Sequence, residues 1–133
     1  MTADIASLGV SVHAEAIMEV RGLDGETLRH DDGRPFTITL LSQDNDAYVR
    51  LARQQADRRL QQMARTRTPA LTGTTEQEQI ELLVAVTVKW DLCMGGEPFE
   101  SAPREYRRLY ATIPALREQV AEFTGVRKNF LTG

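Results

Sequence analysis

Thr75 to Gly96 reads TEQEQIELLVAVTVKWDLCMGG, and the folding of this stretch decides the architecture of the chain. Thr75 and Glu78 form a capping-box pattern, in which each side chain satisfies an orphan backbone N–H of the other. Behind it, Ile80 to Trp90 is apolar nearly all round, and its β-branched residues also suit a buried strand. The cap and the unbroken length to Leu92 favour a central helix ended by Gly95-Gly96. On that reading Trp90 lies in the core of a helical bundle, on the same helix as Ile80, Leu83 and Val84.

Helical signals continue downstream. Ser101 is placed to cap a third helix, with Pro103 tolerated in its first turn because no N–H is needed there. Tyr106, Leu109, Tyr110 and Ile113 form its apolar face. Pro114 breaks that helix and starts the next, whose stripe is Leu116, Val120 and Phe123, with Gly125 as a left-handed C-cap. Upstream, Asp44 can cap a helix and Asp46 favours its positive N-terminal end. Val49, Ala52, Ala56, Leu60 and Met63 follow as one thin apolar stripe, running to about Thr66 before a loop marked by Pro69 and Gly73.

The front of the chain has a different period. Asp24-Gly25 and Asp32-Gly33 are turn dipeptides, since glycine reaches the positive φ of tight turns. Phe36, Ile38 and Leu40 then alternate along a β-branched run, and Val10 to Val20 is a weaker strand. The expected fold is α+β: a small N-terminal antiparallel sheet packed on a C-terminal bundle of three to four helices. It forms a single domain over 1–133, with a strand-rich front (1–43) and a helical back (44–133).

Composition fits such a domain. Of 133 residues, 41% are apolar and 26% charged, which excludes a disordered chain and allows one modest core. The net charge of −3 gives the whole chain no electrostatic footprint for nucleic acid or anionic membrane. The single cysteine, Cys93, permits no intrachain disulfide and suits a reducing compartment. No run approaches the ~18 apolar residues of a membrane span, and the N-terminus lacks the basic and apolar regions of a secretory signal. A soluble, cytoplasmic protein is expected.

Catalysis needs convergent groups, and the sequence offers few. His13 and His30 are lone histidines, and a zinc site would need both with Cys93 and a carboxylate from unrelated segments. Asp31-Asp32-Gly33 lacks the alternating ligands of a calcium loop and reads as a turn. Gly95-Gly96 has no following lysine and no preceding strand, so it is no phosphate loop. Cys93, at the end of the most apolar helix, reads as a buried, inert thiol. No enzyme activity, cofactor or metal is expected.

One charge feature stands out. Between Asp44 and Thr68, six arginines face three aspartates, a net +3 that leaves −6 for the rest of a chain of net charge −3. The basic helix reads as a solvated face, a grip on phosphates, or a contact with the acidic face of another copy or protein. The thin stripe and the charge split suggest copies meeting front to back, which propagates into rings or filaments unless it closes.

Trp90, Gly96 followed by Phe99, Leu109-Tyr110, Pro114, Leu116 to Val120 (LREQV), and Arg127, Asn129 and Phe130 resemble the C-terminal pattern of small tail assembly proteins of long-tailed bacteriophages. The front, with DGETL (Asp24 to Leu28) and FTITLLSQDNDAY (Phe36 to Tyr48) leading into the basic helix, is similar to the same group. The resemblance implies a tail assembly chaperone that keeps the tape measure protein soluble while the tail tube polymerises around it. It further implies residence in the host cytoplasm, absence from the mature virion, self-association, and the tail tube protein as a further candidate partner. A minor virion tail or neck protein and a nucleic-acid binder using the arginine helix are the alternatives.

The partner-binding set is Arg50, Arg53, Arg58 and Arg59 on the basic helix, with Arg127, Asn129, Phe130 and Leu131 in the tail. Burial of Phe130 and Leu131 would contribute roughly 1.5–3 kcal/mol each, nearly offset by the entropy of ordering the segment. A tail only marginally docked, with Arg127 and Lys128 as its basic rim, is therefore expected.

Overall fold

The structure, a computed structural model, describes residues 14–66 and 75–131. The early part of the first strand (Val10 to His13) and the loop at Pro69 and Gly73 lie outside the described residues. Strand β1 is Glu15–Glu19, β2 Thr37–Leu41 and β3 Thr87–Asp91, and they form an antiparallel sheet in the order β1-β2-β3. Helices α1 (Asp46–Thr66), α2 (Glu76–Ala85), α3 (Pro103–Thr112) and α4 (Pro114–Gly125) follow, with a short hairpin, β4 (Cys93–Met94) and β5 (Glu97–Pro98), between β3 and α3. A single 3-10 turn, Arg127–Phe130, closes the described chain. The architecture is α+β, a sheet near the N-terminus with helices later in the chain.

The main departure is in Thr75 to Gly96. The capping box forms: Thr75 Oγ1 accepts from the Glu78 N–H, and the Glu78 carboxylate accepts from the Thr75 N–H. The helix nevertheless stops at Ala85, where Val84, Val86, Thr87 and Val88 bring the χ1 crowding that disfavours further turns. Thr87 Oγ1 donates to the Leu83 carbonyl at 2.7 Å, satisfying an acceptor that the continuing helix would have used. The Leu41 N–H donates to the Val86 carbonyl, and the chain turns into β3 beside β2. The central helix to Leu92 is thus replaced by a ten-residue helix and a strand. The sheet does not respect a boundary at residue 43. Gly95 and Gly96, at φ 58° and 84°, form the two-residue turn of the β4–β5 hairpin.

Trp90 is buried, but on β3 opposite Ile38 rather than on α2. Its ring meets Tyr106 and Tyr110 edge-on, with centroids 4.4 and 6.0 Å away. Its indole N–H donates to the Glu100 carbonyl, and its backbone N–H to Ser101 Oγ. Ser101 is thereby committed to β3 and to the Tyr106 hydroxyl; Ala102 is the α3 N-cap, with no side-chain cap bond. Met18, Ile38 and Leu40 from the sheet meet Leu83, Tyr110, Val120 and Phe130 in one core.

Two further caps differ from expectation. Asn45 Oδ1, not Asp44, accepts from the Ala47 N–H at the start of α1. Asp46 does occupy the first turn. Gly125 lies inside α4 with no positive φ, and Val126 follows as the C-cap in extended backbone. The turn glycines Gly25 and Gly33 do have positive φ, 83° and 90°.

Trp90→Ala removes both the aromatic contacts and the β2–β3 cross-strand pair. An expected loss of ~3–5 kcal/mol, measured by urea unfolding, leaves little of a small domain's stability. The Glu78 carboxyl is held below the usual glutamate range, chiefly by the Thr75 backbone N–H and then by the Thr75 hydroxyl and Arg59. A depressed folded value contributes stability above the ordinary glutamate range and loses it as pH falls through the depressed one. Glu78→Gln keeps the capping-box bonds but loses the charge, so it should lower the unfolding midpoint at neutral pH, and acid titration of that midpoint should show the two chains converging.

Candidate partner-binding surface

Helix α1 docks on the body through one narrow side. Gln55 is buried and its Nε2 donates to the Glu78 carbonyl at 3.0 Å. Arg59, one turn later, bonds the Glu78 carboxylate at 3.2 Å. Tyr48, Leu51 and Ala52 are half-buried on the same side. Burial of Tyr48 pushes its phenol pKa up.

The stripe expected to pack is turned about a quarter of the way round from this docking side. Val49 is 40% exposed, Leu60 60% and Met63 41%, and Ala56 is exposed between them. The polar pair Gln55 and Arg59 holds the helix where an apolar stripe was expected to do so. Arg50, Arg53 and Arg58 are exposed and make no ion pair among the described residues. An apolar strip with Arg53 at its edge therefore faces outward along α1, while Arg50 lies further round the helix and Arg58 on the side opposite the strip.

The tail is built differently from the marginal docking expected of it. Phe130 is 2% exposed, and its ring meets Phe123 edge-on at 5.6 Å. Arg127 makes a two-point pair with Asp44, at 2.9 and 3.3 Å, and Asn129 Nδ2 donates to the Phe123 carbonyl at 3.0 Å. The entropy of ordering is offset by this set of bonds together with full burial of one aromatic ring. Leu131 is 48% exposed. Of the eight residues expected to bind a partner, Arg50, Arg53, Arg58 and Leu131 are presented to solvent; Arg59, Arg127, Asn129 and Phe130 make contacts within the fold.

A second feature was not read from the sequence. An apolar groove of about 290 Å³ opens between the turn at Gly25, the β4–β5 hairpin and the α3–α4 bend. Its rim exposes Leu23 (97%), Met94 (65%), Leu28 and Ile113, over a floor that includes Phe36 and Leu116. These residues come from four separated segments and share no period, so no local pattern announces them. Among the described residues no helix is long and apolar enough to cross a membrane, and no group of three or more His, Cys, Asp or Glu is arranged to hold a metal ion.

The chain matches no known family model, no curated protein and no solved structure.

Phe130→Ala should lower the unfolding free energy by ~3–5 kcal/mol, as for other buried Phe truncations. Leu131→Ala should stay within about 0.5 kcal/mol of the parent. Chemical denaturation of the two variants side by side measures the contrast, and equal effects would contradict the packing described here.

Proposed function

We propose that this protein is a tail assembly chaperone of a long-tailed bacteriophage, a binding protein that keeps the tape measure protein soluble while the tail tube polymerises. The outward face of α1 carries this reading: Val49, Ala56, Leu60 and Met63 lie in line, with Arg53 beside them. A client that is itself a long amphipathic helix, with carboxylates flanking its apolar side, complements that face in both polarity and charge. Similarity of Trp90, Leu109-Tyr110, Leu116 to Val120 and the Arg127 to Phe130 segment to tail assembly proteins supports the same reading.

A single such contact is small, and many copies along one client reach tight association through avidity. Copies that also touch one another front to back would coat the client as an array. The working place is the host cytoplasm, and the finished particle lacks the protein. A chaperone of this kind leaves with assembly, whereas a minor tail or neck component stays.

Co-expression with the tape measure protein of the same phage tests the reading. The parent chain should bring the tape measure into the soluble fraction and co-purify with it. Leu60→Glu with Met63→Glu should abolish co-purification while leaving the unfolding midpoint unchanged, since both positions face water. Arg53→Glu should weaken binding by about 0.2–1 kcal/mol and reduce its salt sensitivity. A tape measure protein that stays insoluble with the parent chain, or that binds the Leu60/Met63 variant equally well, would overturn the assignment.

A further inference from the structure

The turn at Asp31 to Gly33 brings His30 against the β3–β4 bend. The turn is closed by the His30 N–H on the Arg34 carbonyl (2.8 Å) and the Gly33 N–H on the His30 carbonyl (2.9 Å). The imidazole lies against Phe36, with centroids 4.7 Å apart, and is only 11% exposed. Its Nε2 is 3.2 Å from Asp91 Oδ1 and 3.3 Å from the Asp91 carbonyl. Both neighbours are pure acceptors, so the ring proton belongs on Nε2. That leaves the lone pair of Nδ1 directed at Cys93 Sγ, 3.3 Å away.

Asp91 is itself held in place, because its Oδ2 accepts from Arg34 NH1 at 2.9 Å, and Arg34 is fixed in turn by Asp32 at 2.7 Å. A nucleophile within reach of a base that a third group orients is the shared geometry of covalent catalysis. The residues lie far apart in sequence, His30 at the Asp31–Gly33 turn, Asp91 at the end of β3 and Cys93 at the start of β4, so the convergence is a product of the fold. Cys93 is half-buried and contributes to the wall of the apolar groove. At about 290 Å³ the groove lies at the small end of the range for small-molecule sites. A thiol that merely filled space would need neither an oriented imidazole nor an open apolar pocket beside it.

We propose that Cys93 is a nucleophilic thiol that accepts an acyl group from a small acyl thioester, with the acyl chain lodged in the groove. His30 is the general base and Asp91 its positioning residue. As Sγ attacks the carbonyl carbon, the thiol proton passes to His30 Nδ1. The new S–C bond forms, the donor's C–S bond breaks, and the departing sulfur takes the proton back from His30 to leave as a free thiol. Nothing is oxidised or reduced, and the product is S-acylated Cys93. The groove sets the preference for donor: an apolar chain displaces water from Leu28, Met94 and Ile113, whereas an acetyl group leaves them wet.

The full chain incubated at neutral pH with octanoyl-N-acetylcysteamine should gain one acyl group by intact-mass analysis. The group should be released by neutral hydroxylamine, and Cys93→Ser should gain none. Octanoyl transfer should outpace acetyl transfer from the matching donor. His30→Ala should slow transfer at least about tenfold, and added imidazole should restore part of the rate, which a purely structural histidine would not allow. Asp91→Asn should slow transfer with the protein still folded, and Asp91→Glu should recover it. Acylation of the parent at the rate of its own urea-unfolded thiol would overturn the proposal, as would equal rates in the parent and the His30 and Asp91 variants. Equal rates for the two donors would remove the groove from it.

Discussion

Opposite Ile38 in the β2–β3 ladder, Trp90 must bury an indole and still find a partner for its N–H. Both requirements are met by the segment just before α3. The Glu100 carbonyl takes the indole proton, Ser101 takes the backbone N–H, and Ser101 also bonds the Tyr106 hydroxyl. Tyr106 and Tyr110 then lie edge-on to the same ring, and the Tyr110 hydroxyl meets Thr87 Oγ1 at 2.7 Å. Sheet, connecting segment, α3 and the end of α2 are therefore joined through one side chain and its polar neighbours. Burial pushes the Tyr110 phenol pKa well above its ordinary range, so that hydroxyl keeps its proton to share with Thr87. Among the described residues no buried side-chain polar atom lacks a partner, the condition under which such a network rigidifies a core instead of weakening it.

Turn chemistry and alternation made the front sheet legible, because Gly25, Gly33 and the Phe36–Leu40 alternation act over a few residues. The Thr75–Glu78 cap was legible for the same reason. The extent of α2 was not, since Ile80 to Trp90 satisfies both a buried helix and a buried strand. The choice falls to tertiary partners: the Val86 carbonyl finds Leu41, and Trp90 finds Ile38. Only contacts with β2, some fifty residues upstream, break the tie. The α1 stripe failed in a different way. Apolar spacing located a face of the helix, but the specific bonds of Gln55 and Arg59 to Glu78 decided which face points inward.

The residues on which the expected resemblance to tail assembly proteins rests are largely structural in this fold. Trp90, Leu109, Tyr110, Leu116, Val120 and Phe130 are all buried, and Arg127 and Asn129 hold the final turn in place. The pattern thus describes how the back of the molecule is built more than where a partner sits. The outward face of α1 was half legible: its arginines and its apolar stripe could be read from the sequence, but the stripe's exposure only once the helix was oriented. The groove and the His30–Asp91–Cys93 convergence were invisible, because hydrogen-bond partners separated by about sixty residues leave no local signature.

The Trp90–Ser101 bond also bears on how copies of this chain meet at high concentration. Among the described residues β3 pairs with β2 alone, and unpaired backbone donors and acceptors on such an edge invite another molecule's strand. The serine hydroxyl accepts from the Trp90 N–H, one residue from the end of β3, and so fills a donor on that edge. On β1, the other outer strand among the described residues, Glu15 and Glu19 flank the exposed Ile17 with negative charge. Ribbon-like growth from sheet to sheet is disfavoured at both borders, one by a filled hydrogen-bonding position and the other by repulsion. Side chains such as Leu23 and Leu60 stay open to reversible apolar contact, while backbone pairing is hindered at both borders of the described sheet.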